Sequence, residues 1–464
     1  MPYDDAALER FGAIGEPEPD ESDKRSSFAR DRDRILYCSA FLRLAGKSQV
    51  AAAGEFGLYH NRLTHTLKVA QLGRRLAERL RDAYIVRNGS PAAGTIAPPD
   101  PDLVEAACLA HDLGHPPFGH VGEETLGIAV DALTEEYHPK KTTKERGELG
   151  GFEGNAQTFR VAVYLSARLP VKPRCGLDLT RATLDAATKY PWLRSHGDPE
   201  KLDKWGAYQL DAKMLEWVRT EHPPKLNAPK CFESELMDWC DDVTYAVHDV
   251  LDFYRGGHIP LHELLAVQGS VKETPSLSLQ ALDFIENDVP RLDPKIDLDA
   301  AKYAWTTLAK LSDLAEPWEP RLEVKAATQA VSSRLITYFT EHVTWSGDAP
   351  CRYDGQFVID PDQELARVKR LAVDLLKLLL WCRVIERPAL TSQQRGQKAI
   401  VSGLLEAYAS DQKLLPADRR EEIEVHNDPL RAAADHVASL TERDAHALYQ
   451  RMTGVQLGAL TDPL

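Results

Sequence analysis

The chain has 464 residues, of which 43% are hydrophobic and 27% are charged, a balance typical of a globular protein. Its formal net charge of -15 disfavours general attraction to nucleic acid or anionic membranes, so an anionic ligand would need a local cluster of Arg, Lys or metal. No run of about 18 uncharged apolar residues occurs and the N-terminus has no apolar signal core, so we expect a cytoplasmic protein with no membrane span. The 7 cysteines form no CxxC pair, which argues against a disulfide framework or a cysteine zinc site.

The first 27 residues are acidic and polar, and we expect them to form a flexible tail. From Phe28 onward apolar residues recur at helical spacing, and signals for strands are few, so the sequence predicts an all-α fold. Within it, Asp102 is a candidate N-cap, Gly114 is expected to end the helix that follows, and a helix is expected to restart at Gly119. The polar segment 134–151 is expected to be a loop.

Two histidines lie on the apolar faces of predicted helices: His65 is in line with Val69, and His111 is in line with Ala107. For a single histidine, the simplest interpretation is a buried ring that hydrogen-bonds to a backbone carbonyl. Two such helices, one with the adjacent Asp112, favour a metal site, because a buried carboxylate needs a partner. Imidazole and carboxylate ligands are compatible with Mn, Fe, Mg, Ni, Co or Zn.

Another predicted helix carries polar residues at a spacing of four. Asp241, Tyr245 and Asp249 share one face of it, opposite an apolar face that includes Val243 and Val247. The spacing fits an exposed polar stripe as well as it fits the lining of a cleft.

Several longer strings resemble the dGTPase-like branch of the HD-domain phosphohydrolases. They cover roughly residues 28–255, and it is their order along the chain that makes the resemblance specific. These strings are RDRDRI (30–35), RLTHTLKVAQ (62–71), AHDLGHPPFGHVGE (110–123), GFEGNAQ (151–157), KYPW (189–192) and DDVTY (241–245).

The resemblance implies an HD-type helical catalytic core at 28–260, with additional C-terminal helices at 261–464 that complete the site and mediate oligomerisation. It implies hydrolysis of a deoxynucleoside triphosphate, dGTP among them, to deoxynucleoside and inorganic triphosphate. It also implies one divalent metal ion per site (Mn²⁺, Mg²⁺ or another transition metal) and a homo-oligomer, with a hexamer as one form. A nucleotide or single-stranded DNA effector is a further partner that relatives suggest.

Roles are carried over position by position. The implied metal ligands are His65, His111, Asp112 and Asp241, the last preferred to Asp242 because a Tyr follows it by four residues. The implied catalytic residues are His120 and Glu123, with His115 in contact with substrate. The implied substrate-binding residues are Arg62 at a phosphate, Tyr245 and Asp249 at the deoxyribose, and, as looser matches, Gln49, Asn155, Lys189, Tyr190 and Lys230.

One segment departs from the family pattern. Where relatives have a histidine-proline segment, this chain reads VIERPALT at 384–391, which leaves base specificity and regulation open. Two alternatives also remain: another HD enzyme, such as a nucleoside monophosphatase or a cyclic-nucleotide phosphodiesterase, and a non-catalytic nucleotide sensor.

Overall fold

The computed structural model describes residues 3–12, 22–49, 60–89, 98–166, 174–198, 202–268, 276–347, 352–353 and 355–455. The described residues are mostly helical, which confirms the predicted all-α class. In the N-terminal part the helices are α1 (Asp5–Leu8), α2 (Ser27–Leu36), α3 (Ser39–Arg43), α4 (Arg62–Asn88), α5 (Pro101–Ala110), α6 (Gly119–Tyr137), α7 (Thr143–Leu149), α8 (Gly154–Arg160), α9 (Arg181–Ala186), α10 (Ala212–Val218), α11 (Phe232–Thr244) and α12 (Val250–Arg255).

Further helices follow in the C-terminal part: α13 (Leu261–Leu264), α14 (Leu279–Asp283), α15 (Val289–Leu292), α16 (Leu298–Lys310), α17 (Leu322–Thr340), α18 (Gln363–Leu380), α19 (Pro388–Ser410), α20 (Ala417–His426), α21 (Pro429–Ser439) and α22 (Glu442–Met452). The strands in the described residues form two short antiparallel pairs, β1 (Val267–Gln268) with β2 (Ser276–Leu277), and β3 (Thr344–Ser346) with β4 (Gln356–Val358). π-helical turns occupy Val161–Leu165, Tyr245–Asp249, Phe284–Asp288 and Trp381–Ile385. No helix in the described part of the chain combines the length and apolar character that a membrane crossing needs.

Helix α5 lies at the centre of the larger hydrophobic core, with α2, α4, α9 and α11 packed around it. Its side chains from Leu103 to Ala110 are almost all fully buried, because they are small or aliphatic on every face. Asp100, not the expected Asp102, caps this helix, and its carboxylate accepts the amides of Asp102 and Leu103. The restart expected at Gly119 matches the start of α6, whereas α5 already ends at Ala110, before the end expected near Gly114.

A smaller hydrophobic core lies between α6 and the C-terminal helices. It packs Leu126 and Val130 of α6 against apolar residues of α19, α21 and α22. The larger core, in turn, contains residues as late as Val384. The predicted boundary at residue 260 therefore does not divide the hydrophobic interior.

Two segments differ from the sequence interpretation. Residues 3–12 belong to the folded body instead of a tail: Tyr3 is buried and its hydroxyl donates to Glu233 at 2.8 Å, while Arg10 pairs with Asp31 at 2.6 Å. The acidic residues 13–21 of the expected tail lie outside the described residues. The expected loop 134–151 is largely helical, since α6 continues to Tyr137 and a Thr142–Glu145 capping box begins α7.

The C-terminal helices attach to the core through a fully buried arginine. Arg160, at the end of α8, pairs with Asp435 of α21 at 2.7 Å, with Asp211 at 3.1 Å, and with Glu422 of α20. All four side chains are almost completely excluded from water. Removing one partner of such a group is costly, because it leaves a buried charge uncompensated.

Candidate active site

Three of the four predicted metal ligands meet at the centre of the larger core. Nitrogen atoms of His65 (α4) and His111 and a carboxylate oxygen of Asp241 (α11) all lie within 4.8 Å of one another. His65 Nε2 is 3.0 Å and His111 Nε2 is 3.6 Å from Asp241 Oδ1. The helices α4, α5 and α11 pack directly on one another, which explains why residues so distant in sequence converge.

The hydrogen bonding of His111 suits a metal ligand. Its Nδ1 lies 2.6 Å from the Cys108 carbonyl oxygen and donates to it, which leaves Nε2 as the atom with a free lone pair. Within the described residues, this buried Nε2 has no hydrogen-bond partner. Burial also lowers the pKa of His65, which favours the neutral ring that binds a cation. The nitrogen and oxygen donors fit a divalent ion.

Asp112 lies beside this group. Its Oδ2 is 3.6 Å from His111 Nε2 and accepts a hydrogen bond from Arg62 at 2.8 Å. Its Oδ1 is 3.1 Å from His115 Nε2. Burial would raise the pKa of Asp112, but the charge of Arg62 outweighs it and holds that pKa well below the usual value. Asp112 therefore connects the His65–His111–Asp241 group to both Arg62 and His115.

Asp241 and Asp242 point to different partners. Burial alone would raise the pKa of Asp241, but the Lys189 ammonium, 3.3 Å away, keeps the pKa far below its usual range. Asp242 instead forms ion pairs with Arg370 at 3.0 Å and Lys377 at 2.6 Å on α18. The preference for Asp241 as the inner carboxylate agrees with this arrangement.

A second cluster surrounds Glu123 at the start of α6. Glu123 Oε2 is 3.4 Å from His120 Nδ1, and its Oε1 accepts the Gly154 amide at 3.0 Å and Lys204 at 3.0 Å. Lys204 also lies 3.1 Å from Glu153. The His120 side chain is 77% exposed, whereas that of Glu123 is 7% exposed. The carboxylate is thus held from inside the protein, and the imidazole faces the solvent side.

The charges in this cluster are unequally distributed. Burial would raise the pKa of Glu123, but the neighbouring His120 and the charges of His115 and Lys204 hold that pKa well below the usual value. Burial and the Glu123 charge raise the pKa of Glu153 to about 7. Glu123 is therefore the ionised carboxylate at neutral pH.

Two glycines bring the clusters into contact. A Cβ on Gly154 would lie 3.1 Å from a ring carbon of His115 and 3.4 Å from Glu123 Oε1. Gly119, with φ +56°, is close to Arg62, because a Cβ there would lie 3.3 Å from a guanidinium nitrogen. A continuous series of contacts therefore runs from the His65–His111–Asp241 group through Asp112 and His115 to Glu123 and His120.

The remaining predicted residues occupy the surroundings of this series. Tyr245 and Asp249 lie in a π-helical turn after α11, a deviation that is frequent at functional sites. Burial raises the pKa of both groups, and Asp249 Oδ2 has no hydrogen-bond partner among the described residues. Burial thus disfavours the charged form of both side chains.

Only some of the residues predicted more loosely as substrate contacts lie beside the site. Lys189 pairs with Asp241 at 3.3 Å and with Asp238 at 2.6 Å. Lys230 also pairs with Asp238, at 2.6 Å, and approaches the Tyr190 ring at 5.5 Å. Asn155 bonds to Glu153 at 2.7 Å, beside the Glu123 cluster. Gln49 has a buried side-chain oxygen without a hydrogen-bond partner in the described residues, and its carbonyl is near Gly119.

Lys204 and Glu153 were missed in the sequence analysis. Lys204 follows a polar stretch and has no motif around it. Glu153 stands inside the GFEGNAQ string but was given no role. The only available signal was general: a buried carboxylate such as Glu123 needs a cationic or hydrogen-bonding partner.

Comparison with known proteins agrees with this architecture. A family model for the HD domain matches residues 62–163, and one for a phosphohydrolase-associated domain matches 365–451. A deoxyguanosinetriphosphate triphosphohydrolase-like protein of Streptomyces coelicolor is 35% identical over 98% of both chains. The chain belongs to the family of deoxyguanosinetriphosphate triphosphohydrolase-like proteins.

Other members of this family give the same picture. The protein of that name from Bifidobacterium longum is 34% identical over 93% of this chain and 84% of its own, and that from Corynebacterium efficiens is 32% identical over 94% and 93%. The resemblance drawn from the sequence strings is confirmed, and with it the coarser conclusion that this family member is a phosphohydrolase.

Proposed function

We propose that the protein hydrolyses deoxynucleoside triphosphates, dGTP among them, to deoxynucleoside and inorganic triphosphate. The observation that carries the proposal is the continuous series of contacts from His65, His111 and Asp241 to His120 and Glu123. The proposed metal site and acid–base pair are thereby brought next to each other. The names of the curated relatives supply the substrate class, and those names are statements about the relatives.

The proposed reaction breaks the bond between the α-phosphorus and the 5′-oxygen. A divalent ion held by His65, His111, Asp241 and the adjacent Asp112 would supply Lewis-acid polarisation of a phosphate oxygen. Arg62, whose guanidinium is buried beside Asp112, would neutralise part of the triphosphate charge. A water attacks the phosphorus opposite the leaving 5′-oxygen, and its oxygen ends on the triphosphate.

The leaving 5′-oxygen needs a proton, and His120 is the group proposed to give it. Its Nδ1 faces Glu123, so its exposed Nε2 is the nitrogen that can reach a substrate. Glu123, whose Oε2 lies 3.4 Å from that Nδ1, is proposed to fix the orientation of the ring. The water that attacks loses its proton in the same reaction, so the number of protons balances.

Selection of the sugar is assigned to the π-helical turn. The side chains of Tyr245 and Asp249 are proposed to contact the deoxyribose, and close packing against them would exclude a 2′-hydroxyl. Gln49, Asn155, Lys189 and Tyr190 are proposed as further substrate contacts. We also propose that the active form is a homo-oligomer, which size-exclusion chromatography with light scattering would test.

The products distinguish this function from the alternatives. Purified protein is incubated with each dNTP and Mn²⁺, and the products are separated by ion-exchange chromatography. Deoxynucleoside with intact triphosphate supports the proposal. Monophosphate with pyrophosphate, or diphosphate with phosphate, would indicate another HD phosphohydrolase and contradict the role of His120. No turnover, even with mixed dNTPs as activators, would favour a sensor.

Adjacent aspartates provide a matched pair for the metal site. Asp241→Asn should abolish stoichiometric Mn²⁺ binding measured by calorimetry, since Asp241 Oδ1 lies within 3.6 Å of both histidines. Asp242→Asn should retain the ion, because Asp242 pairs with α18. Equal Mn²⁺ affinities in the two variants would refute the ligand assignment.

A further inference from the structure

A glutamate of the phosphohydrolase-associated domain reaches the segments that carry Arg62 and His120. Glu442, the first residue of α22, lies within the matched region 365–451. Its Oε1 accepts the Ser48 amide at 2.8 Å and the Phe118 amide at 3.1 Å. Its Oε2 accepts the Ser48 hydroxyl at 2.7 Å. One carboxylate thus holds two chain segments that are about seventy residues apart.

The first of these segments supports the start of α4. Ser48 forms an antiparallel bridge with Asn61, the N-cap of α4. The Arg62 amide donates to the Lys47 carbonyl at 3.0 Å. A shift of Ser48 would therefore be transmitted to the first turn of α4, where Arg62 begins.

The second segment is the turn that sets the position of His120. Phe118 has φ +66°, a left-handed conformation that costs free energy in a non-glycine residue and persists only when its surroundings hold it. Gly119 follows with φ +56°, and His120 is next. Two contacts restrain this turn: the hydrogen bond from the Phe118 amide to Glu442, and the packing of the Phe118 ring against the smaller core.

The other end of the same turn is also tied to the C-terminal helices. Lys47, which is 1% exposed, donates its ammonium to the His115 carbonyl and, at 2.8 Å, to the Ala438 carbonyl of α21. Hydrogen bonds therefore hold the turn 115–118 at both ends: Lys47 binds the His115 carbonyl, and Glu442 binds the Phe118 amide.

We propose that Glu442 is a positioning residue for catalysis, which fixes the 115–120 turn and the Ser48 segment so that His115, His120 and Arg62 face one substrate. This inference rests on the proposed function. The metal ligands have no hydrogen bond to Glu442, and the mutual packing of α4, α5 and α11 holds them in place, so the loss of Glu442 should change metal binding much less than catalysis.

A competing explanation is local. An acidic residue in the first turn of a helix stabilises that helix through its dipole, and Glu442 occupies such a position. A glutamine there loses the charge but keeps an oxygen for the two amides and an amide group that can donate to the Ser48 hydroxyl. Glu442→Gln therefore separates hydrogen bonding from charge, and Glu442→Ala removes both.

The test compares Glu442→Ala, Glu442→Gln and the control Glu424→Gln, which alters an exposed glutamate of α20. A misplacement of about 1 Å in an active site can cost roughly hundredfold in rate. In Glu442→Ala we expect kcat for dGTP to fall by about ten- to hundredfold, with KM and Mn²⁺ affinity within about threefold of the unaltered protein. Glu442→Gln and Glu424→Gln should stay within about threefold in kcat.

Amide hydrogen exchange provides a readout that needs no substrate. The peptide containing Phe118 should exchange at least about tenfold faster in Glu442→Ala but not in Glu442→Gln, since only alanine leaves the amide without an acceptor. If the unaltered protein cleaves no dNTP, the proposed function fails, and exchange alone decides the positioning role. Unchanged kcat and exchange in Glu442→Ala would overturn it. An equal fall of kcat in Glu442→Ala and Glu442→Gln would overturn it in favour of helix stabilisation. So would a Glu442→Ala protein in which Mn²⁺ binding is lost and the melting temperature falls.

Discussion

Replacing Lys204 should change the pH dependence of the reaction more than its maximum rate. Lys204 lies 3.0 Å from Glu123 and 3.1 Å from Glu153, and its charge lowers the pKa of both carboxyl groups. In Lys204→Met the two buried carboxyls would face each other without a cation. They would then share a proton more readily and titrate as a pair at higher pH.

The size of the shift follows from distance and exposure. A charge at this range moves a carboxyl pKa by about 1–3 units, and solvent screening of a side chain that is 36% exposed places the effect near the lower end, at about one unit. The pair takes up its first proton near pH 7, on Glu153, and without Lys204 this step should move up by about one pH unit. Because the shared proton partly neutralises Glu123, which lies beside His120, the acidic limb of kcat/KM should move with it. Activity should then be about a tenth of normal on that limb and nearly normal at alkaline pH.

The assay is dGTP hydrolysis from about pH 5.5 to about 9, with Lys213→Met as a control because Lys213 is exposed on α10. The control should reproduce the unaltered profile. A Lys204→Met profile of the same shape but reduced at every pH would refute the electrostatic reasoning, since it would indicate a general structural loss.

Three further outcomes are expected. His120→Ala should lower kcat by about 10²–10⁴-fold with Mn²⁺ affinity unchanged, and full activity would refute its role as the acid. Arg62→Lys should lower kcat/KM for dGTP by roughly ten- to hundredfold, because lysine cannot make the bidentate phosphate contact, and a change below about twofold would contradict phosphate binding. Burial against the Tyr408 ring lowers the pKa of His436 to about 4. Its neutral form is therefore fully stabilising above about pH 6.5, and up to roughly 3 kcal/mol of unfolding free energy is lost as pH falls from 6.5 toward 4. In urea titrations His436→Gln should flatten that decline, and parallel curves for the two proteins would refute it.

The sequence predicts best what depends on helix periodicity and motif order. His65 and His111 appeared on apolar helix faces, and the structure brings both to Asp241. The choice between Asp241 and Asp242 could not come from spacing alone, because it depends on the partners that α18 offers to Asp242. It required the resemblance.

What the sequence could not predict are contacts between distant segments. Composition marked residues 3–12 as part of a tail, but Tyr3 finds a buried acceptor in Glu233, more than two hundred residues away. Lys204 and Glu442 carry no local pattern, and each is recognisable only once the acceptors or donors around it are placed.

The burial of Arg160 limits how this protein can be divided. Two of its three carboxylate partners, Glu422 and Asp435, lie more than two hundred and fifty residues after Arg160 in the chain. A gene fragment that ends after the HD segment would leave a guanidinium inside an apolar interior with most of its counter-charge missing. We expect such a fragment to be recovered in inclusion bodies, because the unit that folds around Arg160 extends at least through α21.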